Sequence, residues 1–370
     1  MDYTIRTKCI ICDKLLFNEY FENDYKIPVA CYSKENNLNN DIFIPYNIYT
    51  CENCKCIQTK YLGNLDEIYK INHADGTGSI MKNLHLTVFN TIKEYKDKIT
   101  NIIEIGSSKG LLSDILLEND IVEKYYIIEP SFIGKKHKNK IIINDYFENI
   151  DLKNIYANTI IISHVFEHFY NPIEILNKIK DNDNINQFVL VWPDLEYYKD
   201  NKVYHVLNTE HTFYIDNNCI IKLFNNFLFE LVETIKYENH SVIFVFKRNM
   251  LLNKCKIYNE ENCIANYYNN LFLQRNKIID FINKNKNKNI CLWPCSVHTQ
   301  FLLMFLKNIK IDYLLDNSPN KINKYIYGYN IKCLSFEEYK NDVNYAIILN
   351  GGIFNKEVNK KINNINILEL

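Results

Sequence analysis

Short apolar runs alternate with stretches of helical spacing from about residue 90 onward. The apolar runs cover residues 101–106, 125–129, 140–144, 159–163 and 188–193. They are rich in Ile and Val, and amphipathic stretches such as 109–120 and 171–181 separate them. Buried parallel strands read as near-continuous apolar runs, and crossovers of this length connect them through helices. The pattern therefore predicts a largely parallel sheet with helices on both faces.

Two further patterns follow this predicted sheet. Residues 229–237 and 241–248 are strand-like runs joined by a short polar turn, which predicts an antiparallel hairpin at the sheet edge. After a helical stretch at 250–286, apolar runs restart at 289–294, 311–316, 344–350 and 365–370. We expect these runs to form a second, smaller α/β domain.

The first sixty residues lack this periodicity and are rich in cysteine: Cys9, Cys12, Cys31, Cys51, Cys54 and Cys56. Cys9 with Cys12, and Cys51 with Cys54, form two Cys-x-x-Cys knuckles, whose four thiolates can surround one structural Zn²⁺ ion. Cys31 is a possible substitute ligand, and Cys56 is expected in the core of the module. Buried thiols without a metal are the alternative.

The predicted fold class is α/β, with three domains at 1–70 (zinc-binding module), 71–250 (first sheet) and 251–370 (second sheet). Charged residues make up 24% of the 370 residues and the net charge is −1, with no separate basic block, which argues against a nucleic-acid partner. The N-terminal residues do not resemble a secretion signal, and no apolar run has the length of a membrane span. We expect a cytoplasmic monomer or homodimer without a membrane partner.

A glycine-containing loop, EIGSSKG, follows the first strand of the predicted sheet and leads into a helix. Its Glu104, Gly106, Ser107 and Gly110 are candidate ligand-binding residues, because glycine allows a sharp turn and a helix N-terminus offers free N–H groups. The third glycine of the G-x-G-x-x-G fingerprint is missing, which disfavours a nicotinamide oxidoreductase. The loop suits the amino-acid end of S-adenosylmethionine.

Polar side chains at the next strand ends complete this candidate site. Glu129, followed by Pro130, ends the second strand, where an acid accepts hydrogen bonds from ribose hydroxyls. Asp145 and Phe147 follow the third strand and are candidates for the adenine ring, although Phe147 could equally be a buried loop aromatic. His164, Glu167 and His168 follow the fourth strand and are expected beside the methyl donor.

Histidines that follow the fourth and fifth strands are the candidate catalytic groups. His168 lies four residues after His164, and a metal pair is disfavoured because no third ligand is apparent. Glu210 and His211 are adjacent after the fifth strand, where imidazole can act as a general base and the carboxylate can orient it. An exposed Glu-His pair in a loop is the alternative.

Together these motifs resemble the sugar carbon-methyltransferase family of deoxysugar biosynthesis. The resemblance spans most of the chain: the paired knuckles with the tail CKCIQ, the loop EIGSSKG, the strand end IIEPS, the pair Glu210-His211, and VHTQFLL followed by LLDNSPNK. It implies a zinc-binding module, a class I S-adenosylmethionine-dependent methyltransferase domain and a C-terminal Rossmann-like domain. It also implies that His211 is the base with Glu210 as its partner, and that His168 lines the substrate site.

Two departures from the family bear on the acceptor atom. Where the family has tyrosines near its keto-sugar, this chain has INHADGTGS at 71–79 and Asn208. Carbon methylation passes through an enolate that needs hydrogen-bond donors, so these differences favour transfer to a hydroxyl oxygen of a nucleotide-linked hexose or heptose. The alternatives are carbon methylation of a 4-keto nucleotide sugar and a non-catalytic, zinc-containing binding or scaffold protein. The C-terminal loop LWPCSVHTQ lacks the family's glycines, which argues against a nucleotide site there.

Overall fold

The computed structural model describes residues 3–15, 18–19, 24–35, 40–71, 78–95, 99–201, 203–258 and 264–370. The N-terminal part consists of short strands and one short helix: β1 (Tyr3–Ile5), β2 (Asn18–Glu19), β3 (Lys26–Pro28), β4 (Ser33–Lys34), β5 (Phe43–Pro45), β6 (Ile48–Thr50), β7 (Ile57–Thr59), β8 (Tyr61–Gly63) and α1 (Leu65–Ile68). Strands β1 and β8 form one antiparallel pair, and β3 and β5 form another.

The middle of the chain forms the first seven-stranded sheet and its helices. In chain order the elements are α2 (Ser79–Glu94), β9 (Asn101–Ile105), α3 (Leu111–Glu118), β10 (Lys124–Ile128), β11 (Lys140–Ile143), β12 (Thr159–Ser163), α4 (Pro172–Lys180), β13 (Gln187–Pro193), α5 (Leu195–Asp200), β14 (Phe213–Tyr214), α6 (Asn217–Asn226), β15 (Phe229–Tyr237) and β16 (Ser241–Arg248). The sheet order is β11-β10-β9-β12-β13-β16-β15, parallel up to β13 and antiparallel at β16 and β15. The predicted parallel sheet and its closing hairpin are confirmed.

Alternate residues of the central strands pack on opposite faces of this sheet. Ile102 of β9 packs in one core with Leu112 of α3, whereas Ile103 packs in another core with Leu176 of α4. In β15, exposed and half-buried positions alternate, which is the pattern of an edge strand with one solvated face. The sheet is thus covered on both sides, and its loops at the carboxyl ends of β9, β10, β11, β12 and β13 are left to form a site.

The C-terminal part forms a second seven-stranded sheet. Its elements are α7 (Ile264–Lys284), β17 (Asn289–Trp293), α8 (Val297–Phe305), β18 (Tyr313–Asp316), β19 (Tyr325–Ile326), β20 (Lys332–Ser335), α9 (Phe336–Tyr339), β21 (Tyr345–Leu349) and β22 (Asn366–Glu369). Strands β22-β21-β17-β18-β20 are parallel, as the restarted pattern predicts. Antiparallel β19 follows β20, and β4 from the N-terminal part forms the far edge.

Strand pairing joins the N-terminal part to the second sheet and to the middle of the chain. Besides β4, the short strand β14 pairs antiparallel with β7, in a four-stranded sheet ordered β14-β7-β6-β2. Buried Arg6 reinforces this junction, because its guanidinium donates to the carbonyl oxygens of Thr59 (3.1 Å) and Thr212 (2.7 Å). The domain boundaries at 70/71 and 250/251 remain a prediction. None of the helices in the described ranges has the length and hydrophobicity needed to span a membrane.

Candidate active site

The four knuckle cysteines converge in the structure. The Sγ atoms of Cys9, Cys12, Cys51 and Cys54 all lie within 4.8 Å of one another, with 3.4 Å between Cys9 and Cys54 and 3.5 Å between Cys12 and Cys51. Cys56 is buried beside them, whereas Cys31 lies on the wall of a cleft described below. Four convergent thiolates with no nearby open position are the donor set of a structural zinc site.

The two knuckles have the same backbone conformation. In each, the residue after the second cysteine, Asp13 or Lys55, has a positive φ (56° and 59°). Its amide donates back to the carbonyl of the first cysteine, at 2.9 Å to Cys9 and 2.8 Å to Cys51. The amide of Ile11 also points at Cys9 Sγ, 3.5 Å away. Such turns direct both thiolates of a knuckle to one side, so the residues fit a bound zinc ion.

The glycine loop turns sharply between β9 and α3. Gly106 has φ +72°, and a Cβ there would overlap Cγ2 of Val165. Gly110, with φ +66°, immediately precedes α3, and Ser113 Oγ donates to its carbonyl at 2.6 Å. A left-handed conformation is costly for residues with a Cβ, so glycine is needed at both positions.

A cavity of about 250 Å³ lies against this loop, at the carboxyl ends of the parallel strands. Glu129, at the end of β10, borders it and accepts the amides of Ser108 (3.0 Å, at Oε2) and Ser131 (3.1 Å, at Oε1). These two bonds hold the carboxylate at the strand end. The other predicted donor-binding residues on the cavity wall are Glu104, Gly106, Ser107, Pro130, Asp145, Phe147 and His164. Gly110 supports the loop from outside the wall.

Two acids at this cavity have defined partners. Glu104 is 3% exposed, and its Oε2 accepts a hydrogen bond from the Tyr125 hydroxyl at 3.0 Å. Burial raises the pKa of Glu104 to about 7, against the lowering effect of the Tyr125 hydrogen bond. Asp145 Oδ1 accepts the Tyr146 amide and the Asn149 side-chain amide, both at 2.7 Å, which fixes the loop that carries buried Phe147.

Glu167, which the sequence places beside the methyl donor with His164 and His168, lies between the imidazoles of His164 and His211. It is 1% exposed, and its Oε1 is 3.4 Å from His164 Nδ1 and 3.8 Å from His211 Nε2. Burial alone would raise the pKa of Glu167, but His164, 3.4 Å away, and the nearby imidazoles of His168 and His211 lower the pKa to about 2. The carboxylate is therefore ionised. Glu167 is an acid close to His211, and the charge of Glu210 also raises the pKa of His211.

His211 and Glu210 are positioned by Asn208. The side-chain oxygen of Asn208 accepts the amides of Glu210 (2.8 Å) and His211 (2.9 Å), which is the pattern of an Asx turn. Burial lowers the pKa of His211 to about 4, although Glu167 has the opposite effect, so the imidazole is neutral near pH 7. From the sequence, Asn208 was noted only because it stands where the family has a tyrosine. An Asn two residues before Glu210 is, however, itself a turn signal.

A phenol also lies at the site. The Tyr69 hydroxyl is 3.2 Å from His168 Nδ1, and both residues line the donor-side cavity. The tyrosine-rich segment expected from the family corresponds to residues 71–79, of which 72–77 lie outside the described residues. Sequence reasoning missed Tyr69 because that residue precedes the compared segment.

A larger cleft of about 950 Å³ adjoins the cavity and separates the carboxyl ends of the two sheets. Met81, His164, His168 and Glu210 line both spaces, and His211 lines the cleft. Residues of the C-terminal part also line the cleft, among them Lys321, Lys324 and Lys356. The predicted catalytic residues therefore lie where the cavity opens into the cleft.

Comparison with known proteins agrees with this architecture. The sequence profile of a methyltransferase domain family matches residues 76–234. No curated protein sequence is significantly similar to the chain.

Several solved structures are similar to part of the chain. The N-methyltransferase NodS from Bradyrhizobium japonicum WM9 is 10% identical, with 46% of this chain and 98% of that chain covered and a TM-score of 0.34. Magnesium protoporphyrin IX methyltransferase from Synechocystis PCC 6803, with bound S-adenosylhomocysteine, is 12% identical over 49% of this chain and 93% of that chain, with a TM-score of 0.35. The 1,6-didemethyltoxoflavin-N1-methyltransferase from Burkholderia thailandensis is 7% identical over 59% and 99%, with a TM-score of 0.37.

The profile match covers the segment that forms most of the first sheet and its glycine loop. The strand order with its antiparallel closing hairpin is the one expected for this fold. Residues 76–234 therefore match a methyltransferase domain, and the first sheet has the class I methyltransferase fold.

Proposed function

We propose that this protein transfers the methyl group of S-adenosylmethionine to a hydroxyl oxygen of a nucleotide-linked hexose or heptose, with His211 as the general base. The main support for the proposal is that the donor-side cavity opens into the larger cleft. The donor-side cavity and the cleft share His164, His168 and Glu210 on their walls, so a donor in one would meet an acceptor in the other. Alignment of two bound reactants accounts for much of the rate of such transfers.

The residues around the cavity fit the parts of the donor. The carboxylate of Glu129, held at the end of β10 by the amides of Ser108 and Ser131, would bind the ribose hydroxyls. Asp145 and Phe147 would hold the adenine, and the loop with Gly106 and Ser107 would approach the methionine part. Bound there, the donor supplies an activated methyl group on a sulfonium.

His211 would take the proton of the acceptor hydroxyl. Its Nε2 lies 3.8 Å from Glu167 Oε1, whereas its Nδ1 is buried and has no hydrogen-bond partner among the described residues. A buried Nδ1 cannot meet a substrate hydroxyl, so Nε2 is the nitrogen that would accept the proton, and the Glu167 carboxylate would stabilise the imidazolium that forms. The O–H bond would break as an N–H bond forms at Nε2, while an O–CH₃ bond forms and the S–CH₃ bond of the sulfonium breaks to leave S-adenosylhomocysteine.

Two carboxylates favour oxygen as the acceptor atom. Glu167 and Glu210 both lie near His211, and both raise its pKa through their negative charge. Their field stabilises a sulfonium but destabilises a free enolate, which carries a full negative charge before carbon methylation. Proton loss from a hydroxyl can accompany methyl transfer, so no free anion needs to form.

Carbon methylation of a 4-keto nucleotide sugar is the second candidate, and Tyr69 is the observation that favours it. Its hydroxyl lies at the cavity, 3.2 Å from His168 Nδ1, and could donate to an enolate oxygen. This phenol replaces one of the donors that the sequence comparison found missing.

The cleft supports a nucleotide-linked substrate by size and charge. Its volume of about 950 Å³ is at the upper end of small-molecule sites, which span roughly 300–1,000 Å³. Lys321, Lys324 and Lys356 line the cleft and are ion-paired with Asp316, Glu35 and Glu238; a diphosphate would meet these cations.

The four knuckle thiolates are proposed to hold one structural Zn²⁺ ion. Mass spectrometry of the native full chain should show one zinc per chain, lost in Cys51→Ser together with the folded N-terminal strands. Cys31→Ala is the matched control and should retain the metal, because Cys31 lies on the cleft wall. Zinc loss in Cys31→Ala with retention in Cys51→Ser would contradict the assignment.

Methyl transfer itself is tested with the full chain, ¹³C-methyl-labelled donor and a panel of nucleotide sugars. The carbon chemical shift of the product methyl distinguishes an O-methyl from a C-methyl group. His211→Asn should retain binding of S-adenosylhomocysteine and lose turnover, whereas His137→Asn, an exposed histidine, should behave as wild type. Failure of S-adenosylhomocysteine to bind, or wild-type turnover by His211→Asn, would refute the proposal and leave the scaffold alternative.

A further inference from the structure

Glu167, His168 and His211 form a second cluster with the composition of a metal site. One potential ligand atom from each lies within 4.8 Å of the other two, and all three residues are buried or half-buried. From the sequence, no third ligand for the histidines was apparent. In the structure, Glu167 offers a third potential ligand atom.

The environment of Glu167 would favour a bound cation at this cluster. Both carboxylate oxygens are buried, and neither has a hydrogen-bond partner among the described residues. A buried carboxylate without hydrogen bonds is costly unless an ion compensates its charge. The nearest groups with a potential positive charge are the imidazoles of His164 (3.4 Å) and His211 (3.8 Å).

The ring nitrogens available to an ion follow from the neighbouring contacts. Tyr69 holds His168 at Nδ1, which leaves Nε2 as the ligand atom and makes the phenol an outer partner that orients the ring. His211 presents Nε2 on the side of Glu167. Two imidazoles and one carboxylate suit zinc, cobalt, nickel or iron rather than magnesium or calcium, which prefer oxygen ligands.

We propose that Glu167, His168 and His211 bind a divalent transition-metal ion, and that this ion switches off the base at His211. A metal on Nε2 occupies the lone pair that would accept the proton of the acceptor hydroxyl, so the imidazole can no longer act as the base. The switch rests on the proposed function, but the binding of the ion does not. The Cys9/Cys12/Cys51/Cys54 cluster is separate and keeps its own zinc.

Cobalt binding to the full chain tests the site, with the cysteine-bound zinc left in place. Titration with Co²⁺ should give the visible spectrum of nitrogen- and oxygen-ligated cobalt, without a thiolate charge-transfer band. Glu167→Gln, His168→Asn and His211→Asn should each lose this spectrum, and Tyr69→Phe should weaken binding by about 10–100-fold. His298→Asn, which removes another cleft histidine, should bind cobalt as wild type does.

Folding of each variant is checked by its retained zinc and its melting temperature. Wild-type cobalt affinity in folded Glu167→Gln and His168→Asn, or a spectrum dominated by thiolate ligation, would overturn the metal site.

The switch is tested by the rate of methyl transfer with and without Co²⁺. Transfer should stop when the site is filled and return after dialysis against a weak chelator. Unchanged transfer with cobalt bound would overturn the switch. Normal cobalt binding in a protein that methylates no nucleotide sugar would instead count against the proposed function and leave the metal site standing.

Discussion

The two sheets of this protein have the same parallel core but differ at the crevice where a ligand would bind. In the first sheet the parallel strands are ordered β11-β10-β9-β12-β13, and in the second β20-β18-β17-β21-β22. Numbered by position along the chain within each core, both orders read 3-2-1-4-5. The carboxyl ends of both sets of strands face one cleft.

The equivalence extends to an acid at the end of the second strand. Glu129 accepts the amide of Ser108, from the loop after the first strand, and that of Ser131, two residues on. Asp316 likewise accepts the amide of Cys295 (3.1 Å) and that of Ser318 (2.9 Å). The same strand order thus produces the same acid-to-loop contacts.

The difference lies in the loops and charges. The first loop contains Gly106 at a positive φ and borders a cavity, whereas the second has no glycine between β17 and α8. Asp316 is also ion-paired with Lys321 at 3.2 Å. Strand order alone therefore does not make a donor site; the loop that follows the central strand and the charge around the acid decide which crevice binds the donor.

The largest effect expected from this comparison is on donor binding after loss of the strand-end acid. Glu129→Ala should weaken S-adenosylhomocysteine binding by about 100-fold or more, since hydrogen bonds to a charged group contribute about 1.5–3 kcal/mol each. Asp316→Ala should leave the dissociation constant unchanged. Calorimetric titration of both variants measures the dissociation constant. A larger loss of affinity in Asp316→Ala than in Glu129→Ala would show that the donor binds at the second sheet, against this account.

A smaller effect is expected from a Cβ in each loop. Gly106→Ala combines a left-handed conformation with overlap at Val165 and should weaken donor binding by roughly 10–100-fold. Gly351→Ala follows β21 in the second sheet, where the Cβ would overlap Trp293, and should lower the melting temperature without changing donor affinity. Equal donor affinities in the two variants would contradict the assigned crevice.

The central strands differ at one buried position, and this difference predicts a pH-dependent stability. Glu104 occupies the fourth position of β9, where β17 has Leu292. The pKa of Glu104 rises from 4.5 to about 7 on folding, so the folded state retains a proton that the unfolded state loses. The contribution of Glu104 to the free energy of unfolding is greatest below about pH 4.5. It decreases as the pH rises to about 7, by roughly 3 kcal/mol at most.

Glu104→Gln should remove this pH dependence. In a Trp293→Phe background, Trp192 fluorescence reports urea unfolding of the first sheet, because Trp192 lies in β13. The gain in free energy of unfolding from Glu104→Gln should be larger at pH 8 than at pH 5. A gain that is the same at both pH values would show that Glu104 carries no shifted pKa.

The fold was predictable where periodicity was strong and was not predictable where strands are short. Runs such as 159–163 and 188–193 predicted β12 and β13, because buried parallel strands leave a clear apolar signature. The pairing of β4 with β19 joins two-residue strands about 290 residues apart, which show no pattern. Such pairing depends on tertiary packing alone.

The candidate site was likewise predictable only where its residues follow from the strand pattern. The strand-end positions of Glu129 and His164 were predicted, since they come from the strand pattern. The inward turn of Glu167 was not, because a 3₁₀ turn at Phe166–His168 buries it between two histidines. The contact of Tyr69 with His168 was also not predictable, because it joins residues 99 positions apart in the chain.

A crystal structure of the full chain with S-adenosylhomocysteine tests the central claim most directly. We expect the ribose on Glu129, the methionine part against Gly106, and the sulfur at the opening between His168 and Glu210, facing His211 across the cleft. A ligand in the crevice of the second sheet, or a sulfur turned away from the cleft, would contradict the account.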